Sequence, residues 1–255
     1  MNLIDTHTHL YLNQFKEDID DVVASAKEIG VKKFIFPAID SSHFESMHNL
    51  KNKYPEEIYL MSGLHPTDVR ENFKDELNFV ENTLKTYDYV AIGEIGIDLY
   101  WDKSFLKQQK KAFTFQIRLA IKYDLPIVIH CREAFDQIFE ILDKENCDKL
   151  RGVFHCFTGT MEEAQRVIDL GFVLGIGGVV TFKNGGIDKF LHKIDLKNIV
   201  LETDSPYLAP VPFRGKRNES SYIIYVLEKL SEIYGISKEK IAEITSKNAE
   251  KVFRL

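Results

Sequence analysis

The chain has 255 residues, of which 44% are hydrophobic and 28% charged, a composition typical of a globular protein with a full core. Its formal net charge of -6 is opposite in sign to that of proteins that bind nucleic acid by nonspecific phosphate attraction. The least polar stretch, residues 172–182, is far shorter than the roughly 18 residues that span a bilayer. Because there is no secretory leader pattern and no Cys-x-x-Cys pair, we expect a cytoplasmic protein without a membrane partner.

Short β-branched runs alternate with longer amphipathic segments along the whole chain. The strand-like runs cover residues 2–10, 31–39, 58–66, 90–98, 126–132, 152–157, 172–178 and 198–204. The clearest helical patterns are Asp18–Ile29, Phe105–Tyr123, Ala134–Asn146, a capping-box start at Thr160 and Glu163, and a closing helix within residues 237–255. Eight strands interleaved with helices predict an α/β fold, a single-domain (β/α)8 TIM-type barrel over residues 1–255. A doubly wound open sheet is the alternative, disfavoured because no G-x-G-x-x-G follows the first strand.

The first predicted strand ends in the sequence DTHTHL, which carries Asp5, His7 and His9 at alternate positions. Side chains two positions apart on a strand point to the same face, so this spacing presents two imidazoles side by side. A short His-x-His motif is weak by itself, because solvated or hydrogen-bonded histidines are commoner than metal ligands. It predicts a metal site only if other strands supply further ligands.

Polar residues end most of the other predicted strands as well. They are His65 in GLHP, Glu94 and Asp98 in GEIGID, His130 and Arg132 in IHCR, His155 in FHCF, and Glu202 and Asp204 in LETDSP. Barrel enzymes carry their active sites at this face. Each residue alone has a structural explanation, such as an ion pair between Glu94 and Arg132. Together they would crowd unpaired charges into one cavity, and divalent cations would relieve that cost, so we predict a metal site.

Cys131 and Cys156 each directly follow one of these histidines, an arrangement that also occurs in zinc clusters. Neighbouring residues on a strand face opposite sides, so each thiol should point away from its imidazole. We therefore expect both cysteines to pack as small hydrophobic residues.

The chain resembles the TatD-related metal-dependent hydrolases of the amidohydrolase superfamily, commonly described as deoxyribonucleases. The resemblance rests on DTHTHL, GLHP, IGEIGID, PIVIHCR, FHCFTG, LETDSPYLAP, GKRNES and TSKNAEKVF, which together extend over nearly the whole chain. It implies two divalent ions (Mg2+, Mn2+ or Zn2+), with His7, His9 and Asp204 on the first, His130 and His155 on the second, and Glu94 bridging them. Many amidohydrolases use a carboxylated Lys as the bridge, and Glu94 at that position is typical of the TatD-like branch.

Three residues depart from the family pattern. Thr8 stands where Cys is frequent, Thr158 where Ser is frequent, and Ser220 where Pro often follows GKRNE. None of them removes a ligand. We expect Ser220 to loosen the substrate loop.

From the charges and ligands of such a site we expect hydrolysis by a hydroxide shared between the two ions, with Asp204 as ligand and base. His65 and Arg132 would orient the phosphate, since an Arg fork matches two phosphate oxygens. Beyond the last strand, Arg214, Lys216 and Arg217 would grip backbone phosphates, and Phe213 or Trp101 would offer a face for a base. An exposed charged loop is the alternative interpretation of that basic segment.

The function that follows is a metal-dependent hydrolase acting on ester bonds, a deoxyribonuclease that trims single-stranded DNA or another phosphodiester from the 3′ end. The alternative is an ester or amide hydrolase such as a D-aminoacyl-tRNA deacylase. A non-catalytic metal or nucleic-acid binding protein is disfavoured, because the ligand set is intact. Four imidazoles suit Zn2+ or Mn2+ better than the Mg2+ that commonly supports the family's nucleases. Nothing in the sequence demands a partner chain, so we expect a monomer.

Overall fold

The computed structural model describes all of residues 1–255. Eight parallel strands are hydrogen-bonded in chain order, each to the next. The strands are β1 (Leu3–Asp5), β2 (Val31–Phe36), β3 (Ile58–Ser62), β4 (Ala91–Asp98), β5 (Ile127–Arg132), β6 (Gly152–Phe154), β7 (Phe172–Ile176) and β8 (Ile199–Leu201). The α-helices are α1 (Ile19–Glu28), α2 (Phe44–Lys53), α3 (Phe73–Thr83), α4 (Leu106–Tyr123), α5 (Phe135–Glu145), α6 (Met161–Asp169), α7 (Ile223–Tyr234) and α8 (Lys238–Phe253). The predicted (β/α)8 barrel is confirmed.

Backbone hydrogen bonds beyond the regular strands close the barrel between its first and last members. The amide of Thr6 donates to the carbonyl of Leu201 at 3.0 Å, and the amide of Asp204 donates to the carbonyl of His7 at 2.9 Å. The amide of His9 donates to the carbonyl of Ser205 at 2.7 Å. The His-x-His motif therefore lies beside the segment that follows β8.

The predicted helices are confirmed to within a residue or two, and local sequence explains where they begin. The Thr160 hydroxyl accepts from the amide of Glu163, whose carboxylate accepts from the amide of Thr160, so α6 begins with the predicted capping box. The connection between β7 and β8 differs from the pattern, because it contains only short 3-10 turns between Gly178 and Asn198. The Gly185–Gly186 pair interrupts this segment and lowers its helix propensity.

Apolar residues fill both the inside of the barrel and the layer between strands and helices. One small cluster takes Ile4, Ile35, Met61, Ala91, Val128, Val153 and Val200 from seven strands, together with Ala249 and Phe253 of α8. Helix α8 contacts β1, β6 and β8 and thereby covers the end of the barrel where the strands begin. The opposite end stays open for a site. None of the helices combines the length with the apolar character that crossing a bilayer requires.

The register between β4 and β5 depends on a glycine. Gly96 pairs with His130, and Asp98 with Arg132. Gly96 has a φ of +148°, and a Cβ there would lie 2.0 Å from the carbonyl oxygen of His130. Only glycine permits this approach, which aligns the polar ends of both strands.

Candidate metal centre

The carboxylate of Glu94 lies at the centre of the strand ends, with its two oxygens directed at different histidines. Its Oε2 is 3.0 Å from the Nε2 of His7 and 3.8 Å from the Nε2 of His9. Its Oε1 is 2.7 Å from the Nδ1 of His130 and 2.8 Å from the Nε2 of His155. Glu94 is 2% exposed. One buried carboxylate thus connects two groups of imidazoles.

Asp204 completes the first group. Its Oδ1 lies 3.9 Å from the Nε2 of His7 and 3.6 Å from that of His9. Ligand atoms of His7, His9 and Glu94 lie within 4.8 Å of one another, as do those of His7, His155 and Asp204. The structure thus brings together all six residues that the resemblance implies as ligands.

His65 approaches the second group more closely than the sequence suggested. Its Nε2 lies 3.2 Å from Glu94 Oε1 and 3.3 Å from the Nδ1 of His130. The other ring nitrogen contacts the Thr67 hydroxyl at 2.6 Å. His65, Glu94 and His130 therefore form a further set of groups placed to hold a cation.

Neighbouring acceptors decide which ring nitrogen of two of these histidines faces the site. The Tyr11 hydroxyl donates its only proton to the carbonyl of Pro37, so its 2.8 Å contact with His9 requires a proton on His9 Nδ1. The Nε2 of His130 lies 2.8 Å from the carboxylate of Asp98 and donates to it. His9 Nε2 and His130 Nδ1 are therefore the nitrogens that face the other groups, and each would coordinate a cation once it carries no proton.

Glu202 occupies the corresponding position behind His155. Its Oε1 lies 3.4 Å from the Nδ1 of His155 and accepts from the amide of Cys156 at 2.6 Å. A Cβ on Gly175 would lie 2.3 Å from the Oε2 of Glu202, so this glycine makes room for the carboxylate. Carboxylates behind ligating histidines orient the ring and strengthen it as a ligand.

Tyr11, Asp98 and Glu202 are functional neighbours that the sequence did not assign. Asp98 and Glu202 stand at strand ends, where the pattern located them without indicating a role. Each lies a few residues from a proposed ligand, in Glu94-x-x-x-Asp98 and Glu202-x-Asp204, and this spacing is the feature of the sequence that could have indicated a supporting role.

The electrostatics of the site favour ionised carboxylates among imidazoles. Burial acts to raise the pKa of Glu94, but the charges of neighbouring histidines, that of His155 first, outweigh it and hold the pKa well below its usual range. Burial also acts to raise the pKa of Asp204, but the hydrogen bond from His9 and the charges of neighbouring histidines outweigh it, so the pKa is lowered. Burial and the charge of His155 lower the pKa of His7. A neutral His7 beside ionised carboxylates is the protonation pattern that ligation requires.

One unpaired polar atom, His7 Nε2, supports the fit of these residues to a metal. The buried His7 Nδ1, His7 Nε2, His155 Nδ1 and Glu202 Oε2 have no hydrogen-bond partner. His7 Nε2 lies near Glu94 Oε2 but is not aligned for a hydrogen bond. A buried polar atom without a partner costs free energy, and a cation coordinated by His7 Nε2 would provide one. Imidazoles combined with carboxylates suit Zn2+, Mn2+ and similar ions.

A buried hydroxyl network supports the first group from behind. The Ser220 hydroxyl donates to Asp5 Oδ2 at 2.6 Å and lies 3.3 Å from the Thr8 hydroxyl. The Thr203 hydroxyl also donates to Asp5, at 2.7 Å. Burial raises the pKa of Asp5 to about 7, against the hydrogen bonds from Ser220 and Thr203. The expectation that Ser220 loosens its loop is wrong, because this residue is fully buried and bonded.

A cavity of about 540 Å3 opens above the metal-binding groups. Trp101, Arg132 and Tyr207 line its rim. The guanidinium of Arg132 lies 4.0 Å from the centre of the Tyr100 ring and has no ion-pair partner, Glu94 included. Arg132 and Trp101 are thus available to a molecule in the cavity.

The basic segment beyond β8 is partly committed to contacts within the protein. Arg217 donates two hydrogen bonds to Asp18, at 2.6 and 2.8 Å. The guanidinium of Arg214 lies 3.7 Å from the centre of the Phe182 ring. Lys216 is exposed, and neither it nor Arg214 forms an ion pair. Phe213 stacks on Tyr222 with ring centres 4.2 Å apart, which leaves Trp101 as the more accessible aromatic face.

The cysteines take no part in the site. Cys131 packs against the hydrophobic core, and burial raises its pKa. Neither Cys131 nor Cys156 belongs to a group placed to bind a cation.

A (β/α)8 barrel with convergent imidazoles and carboxylates at its strand ends defines this protein as a metal-dependent hydrolase. The family model of the TatD related DNases matches residues 4–254, and the chain belongs to this family. It is 39% identical over 254 residues to the uncharacterized metal-dependent hydrolase YabD of Bacillus subtilis, covering 99% of each chain. It is 31% identical to the 3′-5′ ssDNA/RNA exonuclease TatD of Pantoea ananatis, covering 99% of this chain and 100% of the relative. The crystal structure of YjjV, a TatD homologue from Escherichia coli, matches with a TM-score of 0.93 at 29% identity, covering 99% and 98% of the two chains.

Proposed function

We propose that this protein is a divalent-metal-dependent deoxyribonuclease that removes nucleotides from the 3′ end of single-stranded DNA. The observation that carries the proposal is the division of the Glu94 oxygens between two histidine groups beneath an open cavity. That arrangement suits two cations sharing one carboxylate, as in enzymes that hydrolyse phosphodiesters. The Pantoea relative, whose name gives this activity, supports the choice of substrate.

Six side chains would hold the two ions. His7, His9 and Asp204 would bind the first, His130 and His155 the second, and Glu94 both. When bound, such ions lower the pKa of water and stabilise negative charge on phosphoryl oxygens. They would also give the cavity of this acidic protein a local positive charge of about +2, because the two carboxylates offset only half of the charge of two divalent ions and neutral imidazoles offset none.

The other residues of the cavity would position the substrate and move protons. Asp204 faces the cavity, and its lowered pKa keeps the carboxylate ionised, so it would be free to accept a proton from the attacking water. Arg132, whose fork is free of carboxylates, would bind two oxygens of the phosphate. His65, which also lines the cavity, would contact the same phosphate from the other side.

An assay with labelled substrates tests the proposal. The protein, loaded separately with Mg2+, Mn2+ and Zn2+, is incubated with single-stranded DNA labelled at the 5′ end, with and without chelator. We expect a ladder that shortens from the 3′ end and disappears with chelator. The same protein is also incubated with D-aminoacyl-tRNA. Release of the amino acid from the tRNA, while the DNA stays intact, would overturn the proposal in favour of a deacylase.

A further inference from the structure

A second groove of about 750 Å3 begins where the catalytic cavity ends. Arg132 lines both, so the two spaces meet at this side chain. The groove runs between the segment after β5, the start of α6 and the turns after β7. Its lining includes Tyr100, Thr158, Thr160 and Lys189. None of these residues belongs to the metal-binding groups.

An aromatic and cationic ridge separates the cavity from the groove. The Tyr100 and Trp101 rings meet edge to face with centres 4.9 Å apart, and Arg132 lies over both. Tyr100 is 50% exposed and Trp101 is 69% exposed. Exposed aromatic faces beside a cation are how proteins bind bases of single-stranded nucleic acids without reading their sequence.

The charges along the groove suit a polyanion better than those on the opposite rim. Lys189 is exposed and forms no ion pair. The groove also holds two carboxylates, the exposed Glu133 and the half-buried Glu163, whose Oε2 accepts from the amide of Thr160 at 2.6 Å, so the two cations and two acids of the groove balance. On the other side of the cavity, Asp68 faces the opening and would repel a phosphate backbone.

The turns after β7 leave the groove open. A Cβ on Gly186 would meet no atom within 4 Å, and the 3-10 turns here replace the helix of the other connections. A strand leaving the catalytic cavity over Arg132 therefore enters free space along Lys189.

We propose that this groove binds the nucleotides of single-stranded DNA next to the one being cleaved. A base stacks on the ridge of Tyr100 and Trp101, and a backbone phosphate lies between Arg132 and Lys189. This inference rests on the proposed nuclease function and names the part of the substrate that the catalytic cavity does not contain.

Substrates of different length test the groove. Bis(p-nitrophenyl) phosphate fills only the catalytic cavity, whereas a 12-nucleotide oligothymidylate also reaches the groove. For Tyr100→Ala we expect the ratio of kcat/KM on the oligonucleotide to that on the small diester to fall roughly 5- to 100-fold, as for one lost base stack. Tyr100→Phe retains the ring and restores the ratio. For Lys189→Ala, we expect the slope of log kcat/KM against log salt for the oligonucleotide to become shallower by about 0.7, the contribution of one phosphate contact.

Matched controls lie at the other end of the barrel. Tyr87 and Lys85 are exposed residues after α3, and Tyr87→Ala and Lys85→Ala leave both the ratio and the salt slope unchanged. A ratio within twofold of the wild type for Tyr100→Ala, with an unchanged slope for Lys189→Ala, overturns the inference while leaving the nuclease intact. Fluorescence anisotropy with labelled oligothymidylate separates the two proposals. If the protein hydrolyses neither substrate but Tyr100→Ala binds the oligonucleotide more weakly than the wild type, the groove proposal stands and the nuclease proposal fails. If the wild type does not bind the oligonucleotide, both proposals fail.

Discussion

Glu202 Oε1 lies 3.4 Å from His155 Nδ1, and the ring's other nitrogen faces Glu94. His155 is therefore held between two buried carboxylates. Burial alone would lower the pKa of His155, but the charges of Glu94 and Glu202 raise it well above its usual value. In the proposed metal site, the same negative charges would strengthen this imidazole as a ligand after loss of its Nε2 proton.

Replacing Glu202 with Gln should weaken metal binding without abolishing it. The substitution keeps the volume and removes the charge behind His155, so we expect affinity for the ion that His155 would hold to fall about 10- to 100-fold. Competition against a chromophoric chelator measures the affinity. Glu219→Gln, which changes a half-buried acid outside the site, serves as the control. An unchanged affinity in Glu202→Gln would show that this carboxylate has only a structural role.

Gly175→Ala should displace Glu202, because the new Cβ would lie 2.3 Å from its Oε2. Overpacking of this kind costs about 1–3 kcal/mol of unfolding free energy. Gly177→Ala is the matched control, since its Cβ would make an ordinary 3.5 Å contact with Glu202 Cγ. Denaturant unfolding of both variants and of the double variant Gly175→Ala/Glu202→Ala checks the clash with Glu202, which the double variant should relieve while a tight 3.1 Å contact with His155 Cα remains.

Ser220→Ala should destabilise the fold by about 1–3 kcal/mol, because Asp5 Oδ2 loses a buried hydrogen-bond donor. Urea unfolding followed by circular dichroism measures the loss. The neighbouring Ser221 is half-buried and bonds Glu219, so Ser221→Ala should change stability by less than about 0.5 kcal/mol. Equal effects of the two substitutions would contradict a structural role for the Ser220–Asp5 contact.

Asp204→Asn should lower kcat on a phosphodiester by at least about 100-fold, the loss expected for removal of a general base. Metal content, measured on the same protein by elemental analysis, tells whether the loss reflects the proton acceptor or a missing ion. Near-normal turnover in the metal-loaded variant would refute the role of Asp204.

The basic segment should divide into binding and structural residues. Arg214→Ala and Lys216→Ala each remove a cation without an acidic partner, so each should reduce the salt slope of DNA binding by about 0.7. Arg217→Ala breaks two hydrogen bonds to Asp18, and we expect it to lower the melting temperature instead. If only Arg217→Ala changed the salt slope of DNA binding, Arg217 would be the DNA-binding residue and this assignment would be wrong.

The sequence predicted most of the centre because a parallel barrel places every strand end at one face. Alternation and strand boundaries were therefore sufficient to bring His7, Glu94, His130 and His155 together before any distance was known. The support of these residues was harder to predict. That Tyr11 orients His9, and that Ser220 bonds Asp5, depends on side-chain positions that chain separation does not reveal. The missing helix before β8 depends on how the Gly185–Gly186 segment packs.

Closure of the barrel also sets the order in which this enzyme becomes competent during synthesis. His7 and His9 emerge first from the ribosome, and Asp204 follows almost two hundred residues later, yet the amide of Asp204 bonds the carbonyl of His7. A nascent chain that has not yet reached its eighth strand lacks Asp204, one of the residues proposed to hold the first ion. With the proposed ligand set, full metal uptake would therefore have to wait until the barrel is closed, and a stalled or truncated chain would be left without working chemistry.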